Sequence, residues 1–112
     1  MNEDFKEQIV QRITKNFLDI LILRLIQEKP IWGYKIIKKT EKLFGLTLRH
    51  SALYPLLNSL ETNNLVKSKK ITKDGRLRKM YEITQRGAQF IDVYKDILNQ
   101  QLNGQDIKEE KI

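Results

Sequence analysis

The sequence predicts a mainly α-helical domain with a small β-hairpin, and three observations lead to this prediction. Long stretches of the chain carry apolar side chains at every third or fourth position, which is the spacing of an amphipathic helix. One stretch, at about residues 65–83, instead alternates apolar and polar side chains around an Asp-Gly pair, as a β-hairpin does. A length of 112 residues with 40% hydrophobic side chains fits one domain with one compact core.

The N-terminal part, residues 1–15, is predicted to be a helical extension of this domain. One face of the helix carries apolar side chains at four-residue steps, namely Phe5, Ile9 and Ile13. Residues 18–26 are apolar nearly all round and should form the central helix of the core, which Pro30 ends. Asn16 is a candidate N-cap for that helix, and the pattern leaves open whether residues 3–28 form one helix or two.

Two helices joined by a short connection are predicted next, which is the outline of a helix-turn-helix. The first covers residues 34–44 and stops at Gly45, a residue that adopts the left-handed C-cap conformation without steric cost. Its inward side should hold Ile36, Ile37, Thr40, Leu43 and Phe44. The second covers about residues 50–63, with Pro55 near enough to its start to be tolerated and Ser51 as one candidate for its cap.

The C-terminal part is predicted to contain the hairpin, a last helix and a tail. The hairpin should turn at Asp74 and Gly75, and Thr84 should cap a helix over residues 85–103. That helix has an apolar stripe that is broad for so small a body, which predicts a contact with another molecule. Residues 104–112 are rich in charge and are expected to be a flexible tail.

The chain is strongly basic, and its positive charge is concentrated in the hairpin. The formal net charge is +7 and the pI is about 9.7, so attraction to polyanions is expected. Seven lysines and arginines lie between Lys67 and Lys79, opposed there only by Asp74. Such a patch indicates a nucleic-acid contact, and the alternative is a solvated hairpin that its lysines protect from edge pairing.

The residue inventory argues against catalysis and against a cofactor. With no cysteine and a single histidine, one chain cannot assemble a cysteine–histidine metal site or a cysteine nucleophile. No glycine-rich phosphate loop is present. The longest apolar stretch is too short for a membrane span, and the acidic first residues are unlike a signal peptide. We therefore expect a cytoplasmic protein that needs no cofactor or metal, contacts no membrane and is not an enzyme.

Together these elements describe a winged helix-turn-helix DNA-binding domain at residues 16–84, with an N-terminal helix before it and a C-terminal dimerisation helix after it. Four segments also resemble the PadR family of transcriptional regulators: residues 31–34 (IWGY), 53–61 (LYPLLNSLE), 64–66 (NLV) and 78–87 (RKMYEITQRG). The chain departs from the family pattern at Trp32, Ala52 and Asn64, where histidine, threonine and glycine are usual. The resemblance implies a dimeric transcriptional regulator of the short form, with a single C-terminal helix.

On DNA, the recognition helix, at about residues 50–63, should enter the major groove, and the wing, at about residues 65–83, should contact the backbone or the minor groove. The candidates for base contacts are Arg49, His50, Ser51, Ala52 and Asn58. The resemblance favours phosphate contacts for Tyr34 and Tyr54, for which core packing is the alternative. The cations expected near the phosphates are Lys38, Lys67, Lys69, Lys73, Arg76, Arg78 and Lys79.

Besides a double-stranded DNA operator, the expected partner is a second copy of the chain. The side chains predicted at the dimer interface are Phe5, Ile9, Ile13, Phe90, Ile91, Tyr94, Ile97 and Leu98. A two-fold dimer presents its recognition helices to half-sites ~34–36 Å apart and so favours a palindromic operator. We expect a repressor, because a small body most simply acts by blocking polymerase, and we expect any small-molecule effector to bind between the protomers. A winged-helix protein-interaction module and a nonspecific architectural DNA binder are the alternatives.

Overall fold

The protein, seen in a computed structural model that describes residues 3–104 and 107–108, forms five helices and three strands along residues 3–104. In chain order the elements are α1 (Glu3–Asn16), α2 (Leu18–Glu28), β1 (Ile31–Trp32), α3 (Gly33–Phe44), α4 (His50–Thr62), β2 (Val66–Lys73), β3 (Arg76–Ile83) and α5 (Gln85–Asn103). The strands form one antiparallel sheet in the order β1-β3-β2. The predicted class, mainly α-helical with a small β-structure, is confirmed. Most of the predicted tail, residues 105–106 and 109–112, lies outside the described residues.

The N-terminal segment forms two helices, which answers the question that the sequence left open. Phe17 separates them, with a φ of −116° and a ψ of 30° that leave the helical region. The prediction that Asn16 caps α2 was wrong. Asn16 is the last residue of α1, and its side-chain amide donates to the carbonyl of Arg12 at 2.9 Å. Phe17 takes the N-cap position and packs against the core, so packing sets the start of α2.

One hydrophobic core lies between the helices and the sheet. α2 lies at its centre, with Ile22, Leu23 and Ile26 exposing 1% or less of their surface. The other elements add Ile36, Leu53, Leu57, Tyr81 and Ile91, which are equally buried. The polar Thr40 is tolerated in this core because its hydroxyl donates to the carbonyl of Ile36 at 2.7 Å. Since α3, β3 and α5 pack against α2, and α4 packs against α3 and β2, the core sets the position of the recognition helix relative to the wing.

Helix α3 ends at Gly45 as predicted, but its inward side is shorter than predicted. Gly45 has a φ of +65°, and its amide donates to the carbonyl of Glu41 at 2.9 Å. Leu43 is 59% exposed, so its predicted place on the inward side was wrong. Leu43 is seven residues from the buried Ile36 and therefore on the same side of α3. Its exposure shows that the last turn of α3 extends past the elements that cover Ile36.

Helix α4 starts two residues earlier than a cap at Ser51 allows. Its N-cap is Arg49, which has extended backbone angles and makes no side-chain cap bond. Ser51 is the second residue inside the helix and is exposed, so the capping alternative for Ser51 was wrong. Pro55 is the sixth helical residue and so lies beyond the first turn of α4. Because proline has no N–H, the carbonyl of Ser51 loses one intrahelical donor, a loss that solvent offsets at this exposed site.

The hairpin turns where the Asp-Gly pair predicts. The register ends with Lys73 opposite Arg76, so Asp74 and Gly75 alone form the loop. Both have positive φ, 53° and 73°, which is the turn geometry that matches the right-handed twist of paired strands. The strands reach Lys73 and Arg76 on either side of the loop, so the hairpin carries its cations to its tip.

The edge strand β1 was not predicted. It pairs with β3 through Ile31 opposite Tyr81 and Trp32 opposite Met80. A strand of two residues shows no periodicity, so the sequence pattern could not reveal it. Its effect is to join the start of α3 to the middle of the wing.

A junction of hydrogen bonds fixes the end of α4 to the start of α5. Thr84 caps α5 as predicted, since its hydroxyl accepts from the amide of Gly87 at 2.9 Å. The same hydroxyl donates to the carbonyl of Asn64 at 2.6 Å. A Cβ on Gly87 would overlap the carbonyl oxygen of Leu65 and would lie 2.7 Å from Cδ1 of Ile83. Glycine therefore allows α5 to lie directly against the segment that leads from α4 into the wing.

Candidate nucleic-acid interface

A cleft of about 400 Å³ lies between the wing and the first turns of α3 and α4. The wing side is formed by Arg76, Leu77, Arg78 and Lys79 of β3. The opposite side is formed by Trp32, Gly33, Tyr34, Tyr54 and Tyr81. The cleft thus brings residues of the predicted recognition helix and of the wing to one side of the molecule.

The ring of Tyr34 contacts two cations, Arg78 in the lining of the cleft and Lys38 on α3. The guanidinium of Arg78 lies 4.7 Å from the ring centroid of Tyr34, and the ammonium of Lys38 lies 5.8 Å from the same centroid. Both distances are within the range of a cation–π interaction. Tyr34 therefore fixes Arg78 and Lys38 while it packs, so the phosphate and packing alternatives for this residue are compatible.

Two aromatic side chains are stacked at the start of the recognition helix. The rings of His50 and Tyr54 are nearly parallel, with an interplanar angle of 10° and centroids 5.7 Å apart. If Gly33 carried a side chain, its Cβ would lie only 3.0 Å from the hydroxyl oxygen of Tyr54. The absence of a side chain at Gly33 therefore lets Tyr54 reach the start of α3. Both rings remain exposed to solvent.

The start of α3 contributes backbone donors to the cleft. Gly33 is the first residue of this helix, and the first amides of a helix lack intrahelical partners. With the helix dipole they favour an anion. A phosphate in the cleft would meet these amides, the hydroxyls of Tyr34 and Tyr54, and the cations of the wing.

The wing cations are not neutralised by carboxylates within the described part of the chain. The salt bridge found there joins Nζ of Lys67 to Oε1 of Glu82 at 3.1 Å, at the end of the hairpin far from the tip. Lys67 is thus the one predicted phosphate contact that already has an anionic partner. The cations nearer the tip are left for an external anion: Lys69, Lys73, Arg76, Arg78 and Lys79.

The outer side of α4 is exposed as a recognition helix requires. Ser51, Ala52 and Asn58 lie on this side, preceded by the exposed Arg49 and His50. The opposite side of α4 is buried through Leu53, Leu57 and Leu60. The structure therefore brings Tyr34, Tyr54, Arg76, Arg78 and Lys79 together at the cleft. The other predicted DNA contacts lie outside its lining: Lys38, Arg49, His50, Ser51, Ala52, Asn58, Lys67, Lys69 and Lys73.

A polar contact links the recognition helix to the wing. The hydroxyl of Ser68 on β2 donates to Oε2 of Glu61 on α4 at 2.6 Å. Burial, then the negative charge of Glu61 and then Tyr54, raises the pKa of the neighbouring Tyr81 above its ordinary value of 10.0. The sequence analysis missed this link, because residues seven positions apart on two different elements leave no periodic signal.

The apolar side chains predicted at a dimer interface fall on two exposed helical faces. On α1 they are Phe5, Ile9 and Ile13, each about half exposed or more. On α5 they are Phe90 and Ile97, joined by Val93, which is 56% exposed and was missed by the sequence analysis. Val93 lies three residues after Phe90 and four before Ile97, so the spacing in the sequence could have revealed it.

Ile91 is corrected by the structure. It is completely buried in its own protomer and has no surface left for a partner. Tyr94 and Leu98, on the same side of α5, are half-buried. Tyr94 packs edge-on against Phe17, with ring centroids 6.1 Å apart. Burial, followed by the charge of Asp19, raises the pKa of Tyr94 above its ordinary value. This side of α5 therefore attaches the helix to α2.

Other kinds of site find no support in the residues that the structure describes. Among them no group of three or more histidine, aspartate or glutamate side chains is placed to hold a metal ion. None of the described helices combines the length and the apolar character that a membrane span requires.

A helix-turn-helix followed by a β-hairpin wing, with a basic cleft between them, defines a winged helix-turn-helix DNA-binding protein. The sequence profile of the transcriptional regulator PadR-like family matches residues 22–93. The chain therefore belongs to the PadR-like family of transcriptional regulators and is not an enzyme. The resemblance seen in the sequence is confirmed.

The solved structures similar to this chain support the same fold. A PadR-family transcriptional regulator from Eggerthella lenta superposes with a TM-score of 0.77 at 23% identity, over 97% of this chain and 96% of that chain. A PadR-like transcription factor from Bacteroides fragilis gives 0.69 at 26% identity, over 86% and 96%. A PadR-family regulator from Clostridium difficile gives 0.68 at 26% identity, over 83% and 96%. No curated protein sequence matches the chain.

Proposed function

We propose that this protein is a cytoplasmic repressor that binds a palindromic operator as a homodimer. The observation that carries the proposal is the basic, aromatic cleft beside the exposed side of α4. α4 lies in the major groove, and one DNA strand passes its phosphates through the cleft along the wing. Arg49, His50, Ser51 and Asn58 are the candidates for contacts to the base edges, because they are exposed at the start or on the outer side of α4 and carry hydrogen-bond donors or acceptors.

The phosphate contacts supply affinity and the base contacts supply specificity. If a dimer neutralises on the order of six to eight phosphates, the logarithm of affinity falls against the logarithm of salt with a slope of about −5 to −7. Arg78→Gln should weaken binding to all duplexes alike, since Arg78 belongs to the cleft. Asn58→Ala should instead reduce discrimination at one base pair per half-site by about 1–3 kcal/mol.

The test is selection of a binding site from a random-sequence duplex library, followed by affinity measurements on the selected and on scrambled duplexes. A specific regulator should prefer its selected site by ~10³-fold or more. Equal affinities would favour the nonspecific architectural binder. Absence of DNA binding at low salt would favour the protein-interaction module. A selected site without two-fold symmetry would contradict the palindrome.

Dimerisation is proposed through the apolar faces of α1 and α5. Val93 and Ile97 are about half exposed, and full burial of such a side chain is worth about 1.5–3 kcal/mol. The face of α1 carries Phe5, Ile9 and Ile13 over about 12 Å, which matches the roughly 10 Å from Phe90 to Ile97 on a partner's α5.

Ile97→Glu should convert the dimer to a monomer in analytical ultracentrifugation, because a carboxylate would replace a buried side chain at the interface. Asn99→Glu is the matched control, since it adds the same charge to an exposed position on the opposite side of α5. A dimer that survives Ile97→Glu at low concentration would rule out this interface.

The site proposed for any effector is an apolar hollow beside this face. It has a volume of about 260 Å³ and is lined by Phe17, Tyr94, Ile97, Leu98 and Gln101. That volume is slightly below the range of most ligand pockets, so the partner protomer would have to close it. A compound that acts here should raise the unfolding temperature of the wild-type dimer and have a smaller effect on Ile97→Glu. Equal stabilisation of both proteins would place the compound elsewhere.

A further inference from the structure

Trp32 has a position that the DNA contacts described above do not explain. It is only 8% exposed, yet it lies outside the main cluster of packed core side chains. The sheet register places it opposite Met80. Because cross-strand neighbours share a face and side chains alternate along a strand, Trp32 lies on the same face of the sheet as Arg78, Arg76 and Lys73.

The indole of Trp32 contacts the cation at the tip of the wing. Nζ of Lys73 lies 5.7 Å from the ring centroid, within cation–π distance, and tryptophan is the aromatic residue that binds cations best. Lys73 belongs to β2 and Trp32 to β1, with β3 between them. The lysine side chain therefore crosses β3, the strand that carries Arg76 and Arg78.

This arrangement places three cations close together without a carboxylate among the described residues to neutralise them. Like charges repel, and a lysine at a hairpin tip would otherwise extend into water. The indole opposes this by holding the ammonium of Lys73 back over the wing. The neighbouring Tyr34 holds Arg78 in the same way at 4.7 Å. Trp32 and Tyr34, two residues apart in the chain, thus hold Lys73 and Arg78 of the wing.

We propose that Trp32 is a positioning residue for DNA binding, whose indole holds Lys73 beside Arg76 and Arg78 as a preformed phosphate contact. The proposal rests on the proposed function. Trp32 itself need not touch DNA. It acts through Lys73, which loses less side-chain freedom on binding because it is already held.

The experiment is a double-mutant cycle on the selected duplex. Dissociation constants are measured over a range of salt concentrations for Trp32→Leu, Lys73→Gln and the double variant. Trp32→Leu should weaken binding about two- to fivefold per protomer, the factor that one surface cation–π contact is worth. Lys73→Gln should weaken binding and reduce the salt slope by about 0.9 per protomer. The double variant should bind no more weakly than Lys73→Gln alone.

Lys70→Gln is the matched control, because Lys70 is an exposed cation of the same strand on the opposite face of the sheet. In a Trp32→Leu, Lys70→Gln double variant, the factors by which the two substitutions raise the dissociation constant should multiply. The proposal is overturned if the factors for Trp32→Leu and Lys73→Gln also multiply in their double variant. It is overturned as well if Trp32→Leu binds the selected duplex as tightly as the wild type does. Should Trp32→Leu fail to unfold cooperatively, Trp32→Phe keeps an aromatic ring and should give a smaller effect in the same direction.

A second measurement needs no DNA. The chain has one tryptophan, so its fluorescence reports Trp32 alone. Lys73→Gln should change the emission of the free protein, whereas Lys70→Gln should not. An unchanged emission in Lys73→Gln would show that the contact is absent in solution. A changed emission in a protein that selects no duplex would instead refute the proposed function and leave the contact standing.

Discussion

Gly87→Ala is the substitution for which the structure makes the firmest prediction of lost stability. Alanine is favoured over glycine inside a helix by about 1 kcal/mol, so helix propensity alone predicts a gain. The junction predicts the opposite. The new Cβ would overlap the carbonyl oxygen of Leu65, a backbone atom that cannot rotate away. α5 and the segment after α4 would have to move apart.

The size of the effect follows from the contacts that this movement would break. The carbonyl of Leu65 accepts from the amide of Thr84 at 3.2 Å, and it also lies 3.0 Å from the Thr84 hydroxyl, whose single hydrogen has the carbonyl of Asn64 as its nearer acceptor. The amide bond is worth about 0.5–1.5 kcal/mol, and overpacking adds about 1–3 kcal/mol. After the gain in helix propensity, we expect Gly87→Ala to lower the free energy of unfolding by about 2 kcal/mol. For a chain of this length that lowers the melting temperature by roughly 8 °C.

The assay is thermal unfolding followed by circular dichroism at one fixed protomer concentration, because dimers unfold in a concentration-dependent way. Gln85→Ala is the control, since Gln85 is exposed in the same helical turn and leaves the Thr84 cap intact. It should stay within about 0.5 kcal/mol of the wild type. A Gly87→Ala protein as stable as the wild type would refute the claim that this junction is closely packed.

Three further predictions concern hydrogen bonds and pH. Thr84→Val keeps the side-chain shape but removes the cap of α5, so it should lower the free energy of unfolding in urea by about 1–2 kcal/mol. Thr84→Ser keeps the capping hydroxyl and should retain most of that stability. Similar values for the two variants would contradict the cap. Because the pKa of Tyr81 is raised in the folded protein, its stabilising contribution is complete below pH 10.0 and is lost as the pH rises through the raised pKa. Tyr81→Phe should therefore show a smaller loss of urea stability between about pH 9 and 11 than the wild type, and parallel curves would disprove this. Ser68→Ala should lower the free energy of unfolding by about 1 kcal/mol, because it removes the hydroxyl that donates to Glu61. An unchanged midpoint of urea unfolding would contradict this contribution.

Much of the local structure could be predicted because its causes lie within a few residues. The apolar period marked α2 and α4, Gly45 marked the end of α3, and the Asp-Gly pair marked the hairpin turn. The errors arose where packing outweighs local preference. Phe17, rather than the better capping residue Asn16, precedes α2, because burial of its ring determines where the helix starts.

The candidate site likewise contains features that the sequence predicted and features that only the tertiary structure revealed. The basic wing and the exposed side of α4 could be predicted, since charge and amphipathic spacing are read directly from the chain. The roles of Trp32 and Gly33 could not. Their positions depend on β1, a strand that exists only because β3 offers it hydrogen-bonding partners from about fifty residues further along the chain.

Local patterns determined the kinds of element, their order and the sign of the charge on the wing, because each depends on neighbours three or four residues apart or on composition. Tertiary packing decided which faces stay exposed. It buried Ile91 and left Val93 in solvent, although both are apolar residues of α5 two positions apart. It also placed the rings of Trp32 and Tyr34 against wing cations. Such contacts join residues that are distant in the chain, and they form only when the core has set the helices and the sheet at fixed positions.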